Sequence, residues 1–198
     1  MNLYLASSSP RRLQLLTEAG YAPQVVSQGA DETPIPGETP TALVRRLARD
    51  KARDAASRLH DAARGCLLAG DTIVVLDDRV LGKPSGPKEA RSMLQALSGR
   101  EHQVMSAMAV LDTADPERIV DHVETTTVRF QHLADAQIDA YIDSGSPFDK
   151  AGGYGLQELD ARWIAAVEGL HSNVVGLPVE RLGDCWERLG VQPAVSSP

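Results

Sequence analysis

Short apolar runs alternate with helical patterns along almost the whole chain, and each change of period marks a passage from strand to helix or back. Residues 3–6 form the first apolar run, Ser7-Ser8-Ser9-Pro10 follows, and Leu13, Leu15 and Leu16 then carry a helical pattern that stops at Gly20. Ser9 reads as the helix N-cap, Pro10 as the first helical residue and Gly20 as the terminator. Residues 22–38, with Pro23, Pro34, Pro36 and Gly37, read as loop, and a long helix is expected over about 40–60. Residues 66–69 and 72–76 read as two strands interrupted by Gly70-Asp71, and the turn signal at Asp77-Asp78 folds Val80-Leu81 back as a hairpin. Helices are expected over 87–97, 134–142 and from about 178 to Gly190, and strands over 102–111, 119–130 and 163–167. Alternating strands and helices with adjacent hairpins predict an α/β fold whose sheet is mixed rather than strictly parallel. The 198 residues suit a single domain over 1–198, with no internal repeat or dividing linker, and 192–198 reads as a disordered tail.

Charge narrows the function classes. The net charge is −7 and the pI about 5.2, so the surface as a whole repels nucleic-acid backbones. A small anionic substrate remains compatible, because basic residues grouped in a cleft can outweigh the net charge. Aromatic residues make up only 4% of the chain, too few for an interface of stacked rings. Cys66 and Cys185 have neither metal-ligand spacing nor a disulfide framework and read as buried thiols. No run approaches the roughly 18 apolar residues of a membrane span, and the N-terminus lacks the basic and long apolar regions of a signal peptide. A cytoplasmic location without membrane attachment is therefore expected.

Several polar residues stand where the pattern has no structural use for them. Ser7-Ser8-Ser9-Pro10-Arg11-Arg12 leaves a buried strand and enters a helix, where free N–H groups and positive partial charge collect. Arginines there oppose the helix dipole, a mismatch that an external polyanion such as a triphosphate resolves. A plain serine cap with two solvated arginines accounts for the same residues. Asp71 lies between apolar runs, where a carboxylate is costly unless paired, metal-bound or facing a cleft. It reads as a general base or a metal ligand, or as a bulge residue meeting solvent beside Gly70. Lys51 falls inside the apolar stripe formed by Leu43, Val44, Leu47, Ala48, Ala55 and Leu59. It either snorkels along the surface or points its ammonium into a cleft. Glu32 by itself reads as an exposed loop acid.

Further along, Lys83 is held extended by Pro84. Lys150 precedes Ala151-Gly152-Gly153-Tyr154-Gly155, whose glycines let a backbone approach a phosphate or a base closely. Gln157 carries an amide able to match a base edge, although on spacing alone it reads as a surface residue. Neither a Rossmann G-x-G-x-x-G nor a Walker motif is present. His102 and His171 have no metal-ligand spacing and read as structural or surface residues, and no Ser-His-Asp or Cys-His arrangement can be assembled.

The ordered set of segments resembles the Maf family of nucleoside triphosphate pyrophosphatases. It comprises Leu5-Ala6-Ser7-Ser8-Ser9-Pro10-Arg11-Arg12, Asp31-Glu32-Thr33, Leu47-Ala48-Arg49-Asp50-Lys51-Ala52, Gly70-Asp71-Thr72-Ile73-Val74, Leu81-Gly82-Lys83-Pro84, Leu97-Ser98-Gly99, Asp149-Lys150-Ala151-Gly152-Gly153-Tyr154-Gly155-Leu156-Gln157 and Asn173-Val174-Val175-Gly176-Leu177-Pro178. The resemblance implies an α/β fold similar to Maf and inosine-triphosphatase-like proteins, with a mixed, elongated central sheet flanked by helices and two lobes around a cleft. It implies hydrolysis between the α- and β-phosphates of surplus or non-standard nucleotides, a divalent cation such as Mg²⁺ or Mn²⁺, and a homodimer. Arg11, Thr72 and Gln157 fall where the family tunes base choice and resemble the subgroup acting on dTTP and UTP. The subgroup acting on 7-methyl-GTP is less similar, having tryptophan where Arg11 stands. Two residues depart from the family's usual pattern: Glu158 stands in place of glycine, and Trp163 in place of phenylalanine.

On this reading Glu32 and Asp71 hold the metal and Asp71 activates water. Ser7, Ser8, Ser9, Arg12, Lys51 and Lys83 meet the triphosphate, Lys150 binds the substrate, and Arg11, Thr72 and Gln157 read the base. Two other readings stay open: a phosphatase or kinase-like transferase, which would release orthophosphate or transfer it, and a nucleotide-binding regulator of cell division or septum formation with little turnover.

Overall fold

Leu3, Tyr4, Leu5 and Ala6 are buried in succession, the pattern of a strand covered on both faces. In the computed structural model, which describes residues 1–59 and 64–195, this run is β1 (Asn2–Ala6). It pairs in parallel with β2 (Gln24–Val25) on one side and β3 (Gly65–Leu76) on the other, with Leu5 opposite Leu68 and Ala6 opposite Ala69. β4 (Arg79–Leu81) folds back antiparallel on β3 through Asp77 and Asp78, both at positive φ (49° and 62°), as a two-residue hairpin turn demands. Two long strands, β5 (Glu101–Asp112) and β6 (Asp115–Phe130), and the short β7 (Ile164–Glu168) complete a seven-stranded sheet in which six strands follow the order β2-β1-β3-β5-β6-β7 and β4 pairs with β3 off this path. β6 and β7 are antiparallel. The sheet is thus mixed and flanked by helices, as the sequence predicts.

One expectation is corrected here. Gly70-Asp71 does not interrupt two strands, because β3 runs unbroken through both residues. Gly70 keeps an extended backbone where a side chain would crowd its neighbours, and Asp71 is tolerated because its charge is met by Lys51.

The chain divides into two compact units. The first takes Met1–Asp71, Ser106–Glu124 and Gly176–Pro198, within the described residues. Its helices are α1 (Pro10–Glu18), α2 (Pro40–Arg58) and α6 (Leu182–Leu189). α2 begins where the Thr39 hydroxyl accepts the Ala42 N–H at 3.2 Å, and it buries Leu43, Val44, Leu47, Ala48, Ala52 and Ala55 with Lys51 among them. Each fully buried leucine or valine in such a stripe contributes about 1.5–3 kcal/mol. Residue 60, the expected end of this helix, lies outside the described residues.

The second unit takes Thr72–Met105 and Thr125–Val175, with α3 (Pro87–Leu97), α4 (Asp135–Asp143) and α5 (His171–Val175), the last a short helix the periodicity did not reveal. Its core gathers Val74, Leu94, Leu97, Phe130, Ile138, Tyr141, Tyr154 and Trp163. Three of the four divisions fall inside β3, β5 and β6 and the fourth directly after α5, which is why composition does not reveal them.

The last helix is entered through a 3₁₀ turn at Val179–Arg181, later than expected from Pro178. Of the stretch read as a disordered tail, Ala194 donates its N–H to the Met1 carbonyl at 3.0 Å and Val195 bridges Tyr21; residues 196–198 lie outside the described residues.

Candidate active site

β1 delivers the chain at Ala6 into the turn that starts α1. Ser7 is buried, and its hydroxyl oxygen accepts the Ser9 N–H at 3.1 Å and Arg12 Nη1 at 3.2 Å. Ser9 is the N-cap with extended backbone but makes no side-chain cap, and Pro10 follows at the first helical position. The first turn holds no acidic residue. The helix therefore presents its positive end with Ser8 exposed and Ser9, Arg11 and Arg12 half-buried beside it, an arrangement suited to an anion.

Arg12 is aimed by its surroundings. Its Nε donates to the Gly176 carbonyl at 2.9 Å while Nη1 reaches Ser7. Burial pushes the guanidinium pKa down, the charge of Asp71 pushes it back up, Arg11 lowers it and Glu32 raises it. Gly70 makes room for this side chain: a β-carbon on residue 70 would stand 3.2 Å from Arg12 Nε and 3.2 Å from the Ala107 carbonyl.

Lys51 joins the two acids. Its Nζ lies 2.6 Å from Asp71 Oδ1 and 2.7 Å from Glu32 Oε1, and the residue is 6% exposed. The stripe position is thus resolved: the ammonium points into a polar cluster rather than along the surface. Glu32, which reads as an ordinary loop acid in the sequence, is half-exposed and shares that ammonium with the buried Asp71. The first unit brings together Ser7, Ser8, Ser9, Arg11, Arg12, Glu32, Lys51 and Asp71, three cationic side chains against two carboxylates. The local surplus is positive in a chain whose total is −7.

Glu32 and Asp71 are hard oxygen donors. Among the described residues no group of three or more His, Cys, Asp or Glu forms a self-sufficient metal cage. Two carboxylates nevertheless suit Mg²⁺ or Mn²⁺ of the kind that takes its remaining ligands from water and substrate phosphates.

The other expected residues belong to the second unit. Thr72 is half-buried in β3, directly after Asp71. Lys83 is exposed, and the preceding Gly82 carbonyl accepts the Gly152 N–H at 3.0 Å, which ties the Lys83 turn to the glycine-rich loop. Gln157 is exposed on a turn in which the Gly155 carbonyl accepts the N–H groups of Glu158 (2.9 Å) and Leu159 (3.2 Å). Lys150 does not reach outward, because its ammonium is met by Ser146, Asp149 and Glu158. Trp163 is buried against Tyr141, with ring centroids 5.3 Å apart. His102 is structural: its Nε2 lies 2.6 Å from Tyr154 Oη, and burial lowers its pKa to about 4. His171 is at the surface. Both cysteines are free and buried, each pushed up to about 11 by that burial.

Sequence reasoning gave no role to Gly70 or to the Gly176 carbonyl. Gly70 carried a signal, as a glycine next to an acid inside an apolar strand marks close backbone approach. Gly176 carried none, since a backbone acceptor has no residue type.

A family model for Maf-like proteins matches residues 2–189. The dTTP/UTP pyrophosphatase of Syntrophotalea carbinolica is 46% identical over 188 residues, covering 95% of this chain and 84% of that protein. The dTTP/UTP pyrophosphatase of Clostridioides difficile is 39% identical over 188 residues, covering 95% of each. That of Shewanella oneidensis is 44% identical over 196 residues, covering 96% of this chain and all of its own. Among solved structures, a HAM1 protein from Coxiella burnetii aligns over 96% of each chain with a TM-score of 0.50 at 17% identity, a likeness of fold alone.

Proposed function

Because the chain belongs to the family of Maf-like proteins, we propose that it hydrolyses dTTP and UTP, and modified pyrimidine nucleotides of similar shape, to the monophosphate and pyrophosphate. The observation that carries this reading is the Glu32–Lys51–Asp71 cluster beside Arg12 and the start of α1. Such a cluster combines anion recognition with a carboxylate able to take a proton.

Water attacks the α-phosphorus, its proton passes to the Asp71 carboxylate, and pyrophosphate leaves with the bond between the α-phosphorus and the bridging oxygen. Phosphoryl hydrolysis depends mostly on positioning and on neutralising charge. The Ser7–Ser9 turn and the positive end of α1 bind phosphate oxygens, and Arg12 supplies fixed N–H donors. Lys51 holds Asp71 and Glu32 in place and screens their repulsion of the substrate. Glu32 and Asp71 are the residues that would hold Mg²⁺ or Mn²⁺, which supplies charge neutralisation to the phosphates when bound. Lys83 is assigned to the triphosphate, and Arg11, Thr72 and Gln157 to the choice of base. A cytoplasmic homodimer is part of the same proposal. Among the described residues no helix is long and apolar enough to cross a membrane.

The test is a panel of nucleoside triphosphates with Mg²⁺ or Mn²⁺, assayed separately for pyrophosphate and orthophosphate. Pyrophosphate from dTTP and UTP above all others is expected. Preference for 7-methyl-GTP would keep the reaction and overturn the substrate. Orthophosphate in place of pyrophosphate would overturn α–β cleavage, and folded protein that binds nucleotide without product would make it a binding regulator.

A further inference from the structure

Lys150 opens the glycine-rich loop, the place where a substrate-binding lysine is expected, yet its side chain turns inward and the residue is 6% exposed. Nζ lies 2.6 Å from the Ser146 carbonyl, 2.6 Å from Asp149 Oδ1 and 2.8 Å from Glu158 Oε2. An ammonium has three donors, and these acceptors use all of them. The stem is just as confined: a β-carbon on residue 155 would stand 2.7 Å from Lys150 Cε and 2.8 Å from Cδ. The lysine can follow this path only because residue 155 is glycine.

The same glycine begins the turn that carries Gln157. Gly155 donates its N–H to Tyr141 Oη at 3.3 Å and accepts the N–H groups of Glu158 and Leu159. Gln157 is therefore the exposed corner of a turn pinned on both sides. Gly155 is fixed by the lysine stem and Tyr141, and Glu158 by the lysine ammonium. The ion pair ties Glu158, an exposed residue on a surface turn, to a buried ammonium next to the Gln157 amide.

We propose that the Lys150–Glu158 ion pair is the positioning device for the Gln157 amide, so that Lys150 governs the choice of base and does not bind the triphosphate. This rests on the assignment of Gln157 to base recognition. Hydrogen bonds to a base discriminate only if the amide is held in one orientation. Glu158, where the resembling family usually has glycine, gives this chain a restraint that a glycine cannot supply.

The experiment compares kcat/KM for dTTP, UTP, CTP and dGTP in the wild-type protein, Glu158→Ala, Lys150→Met, Gln157→Ala and the Glu158→Ala/Gln157→Ala double variant. Glu158→Ala is expected to lower the preference for dTTP and UTP by about tenfold, the effect of one misplaced hydrogen bond, while kcat/KM for CTP and dGTP stays level. The double variant should show no loss beyond Gln157→Ala alone, and Glu158→Gln, which keeps an acceptor for Lys150, should restore most of the preference. An equal loss for all four nucleotides in Lys150→Met would assign Lys150 to the phosphates and overturn the proposal. If Lys150→Met does not fold, the exposed Glu158 decides alone: unchanged preference in Glu158→Ala overturns the proposal and leaves the proposed function standing. A wild-type protein with no preference for dTTP and UTP overturns both.

Discussion

Lys51 Nζ and Asp71 Oδ1 lie 2.6 Å apart, one on the buried stripe of a helix and the other inside a strand, with side chains only 7% and 12% exposed. Neither residue suits its place alone. Removing one partner of a buried pair leaves the other charge uncompensated, at a cost of about 3–5 kcal/mol. Lys51→Met is expected to lose stability on that scale in denaturant unfolding. A loss below about 1 kcal/mol would mean that the pair is solvated.

Asp71→Asn separates chemistry from folding. The amide oxygen still accepts from Lys51, so the protein should fold with a modest change in Tm, while kcat falls by about 10²–10⁴-fold as a general base is lost. A folded variant with full kcat would remove Asp71 from its proposed role as base.

Arg12 and Gly70 form a second testable pair. Arg12→Lys keeps the charge but loses the planar fork that reaches both Gly176 and Ser7. Its kcat/KM should fall by roughly 10²-fold, as for a lost transition-state donor. Gly70→Ala places a β-carbon 3.2 Å from Arg12 Nε. It should cost kcat/KM several-fold, less than the roughly 10²-fold of a 1 Å misplacement. Native kcat/KM in both variants would show that the aim of Arg12 is not used.

His102 makes stability depend on pH. Its folded pKa is lowered from 6.5 to about 4 by burial, so between these values the unfolded chain binds a proton that the folded one refuses. Stability is therefore greatest above pH 6.5 and falls as pH drops toward 4, by up to about 1.4 kcal/mol per unit. His102→Gln, which keeps a polar partner for Tyr154, should flatten that slope in unfolding experiments at pH 7, 6 and 5. An identical slope would assign the acid sensitivity to carboxylates.

The thiols of Cys66 and Cys185 are buried and pushed up to about 11. A thiol reagent at pH 8 should label neither until denaturant unfolds the protein. Rapid labelling of the native protein would contradict their burial.

Much of this was legible in the sequence because the relevant signals are local. Ser9 and Pro10 mark the start of α1, the stripe places Lys51 inward, and an acid inside an apolar run singles out Asp71. What pairs with what was not legible. Glu32 looks like any exposed acid until the fold brings it to within 2.7 Å of Lys51. Lys150 carries no sign in the sequence that its ammonium lies 2.8 Å from Glu158. The unbroken strand through Gly70-Asp71 was misread because glycine and aspartate weaken strands on average, whereas here the absence of a side chain and the lysine's charge remove both penalties. The two units were hidden because each is assembled from separated segments.

The order in which the first unit's segments occur has a consequence for a chain still being made. By residue 71 every charged group of the Arg12, Glu32, Lys51 and Asp71 cluster has been synthesised. The carbonyl that receives Arg12 Nε belongs to Gly176, 164 residues beyond it. A nascent or prematurely terminated chain that stops short of Gly176 thus carries the charges of the cluster but lacks the acceptor of Arg12 Nε. The aim of Arg12 waits for residue 176, and a frameshift between residues 71 and 176 removes the acceptor of its Nε without touching any charged residue of the cluster.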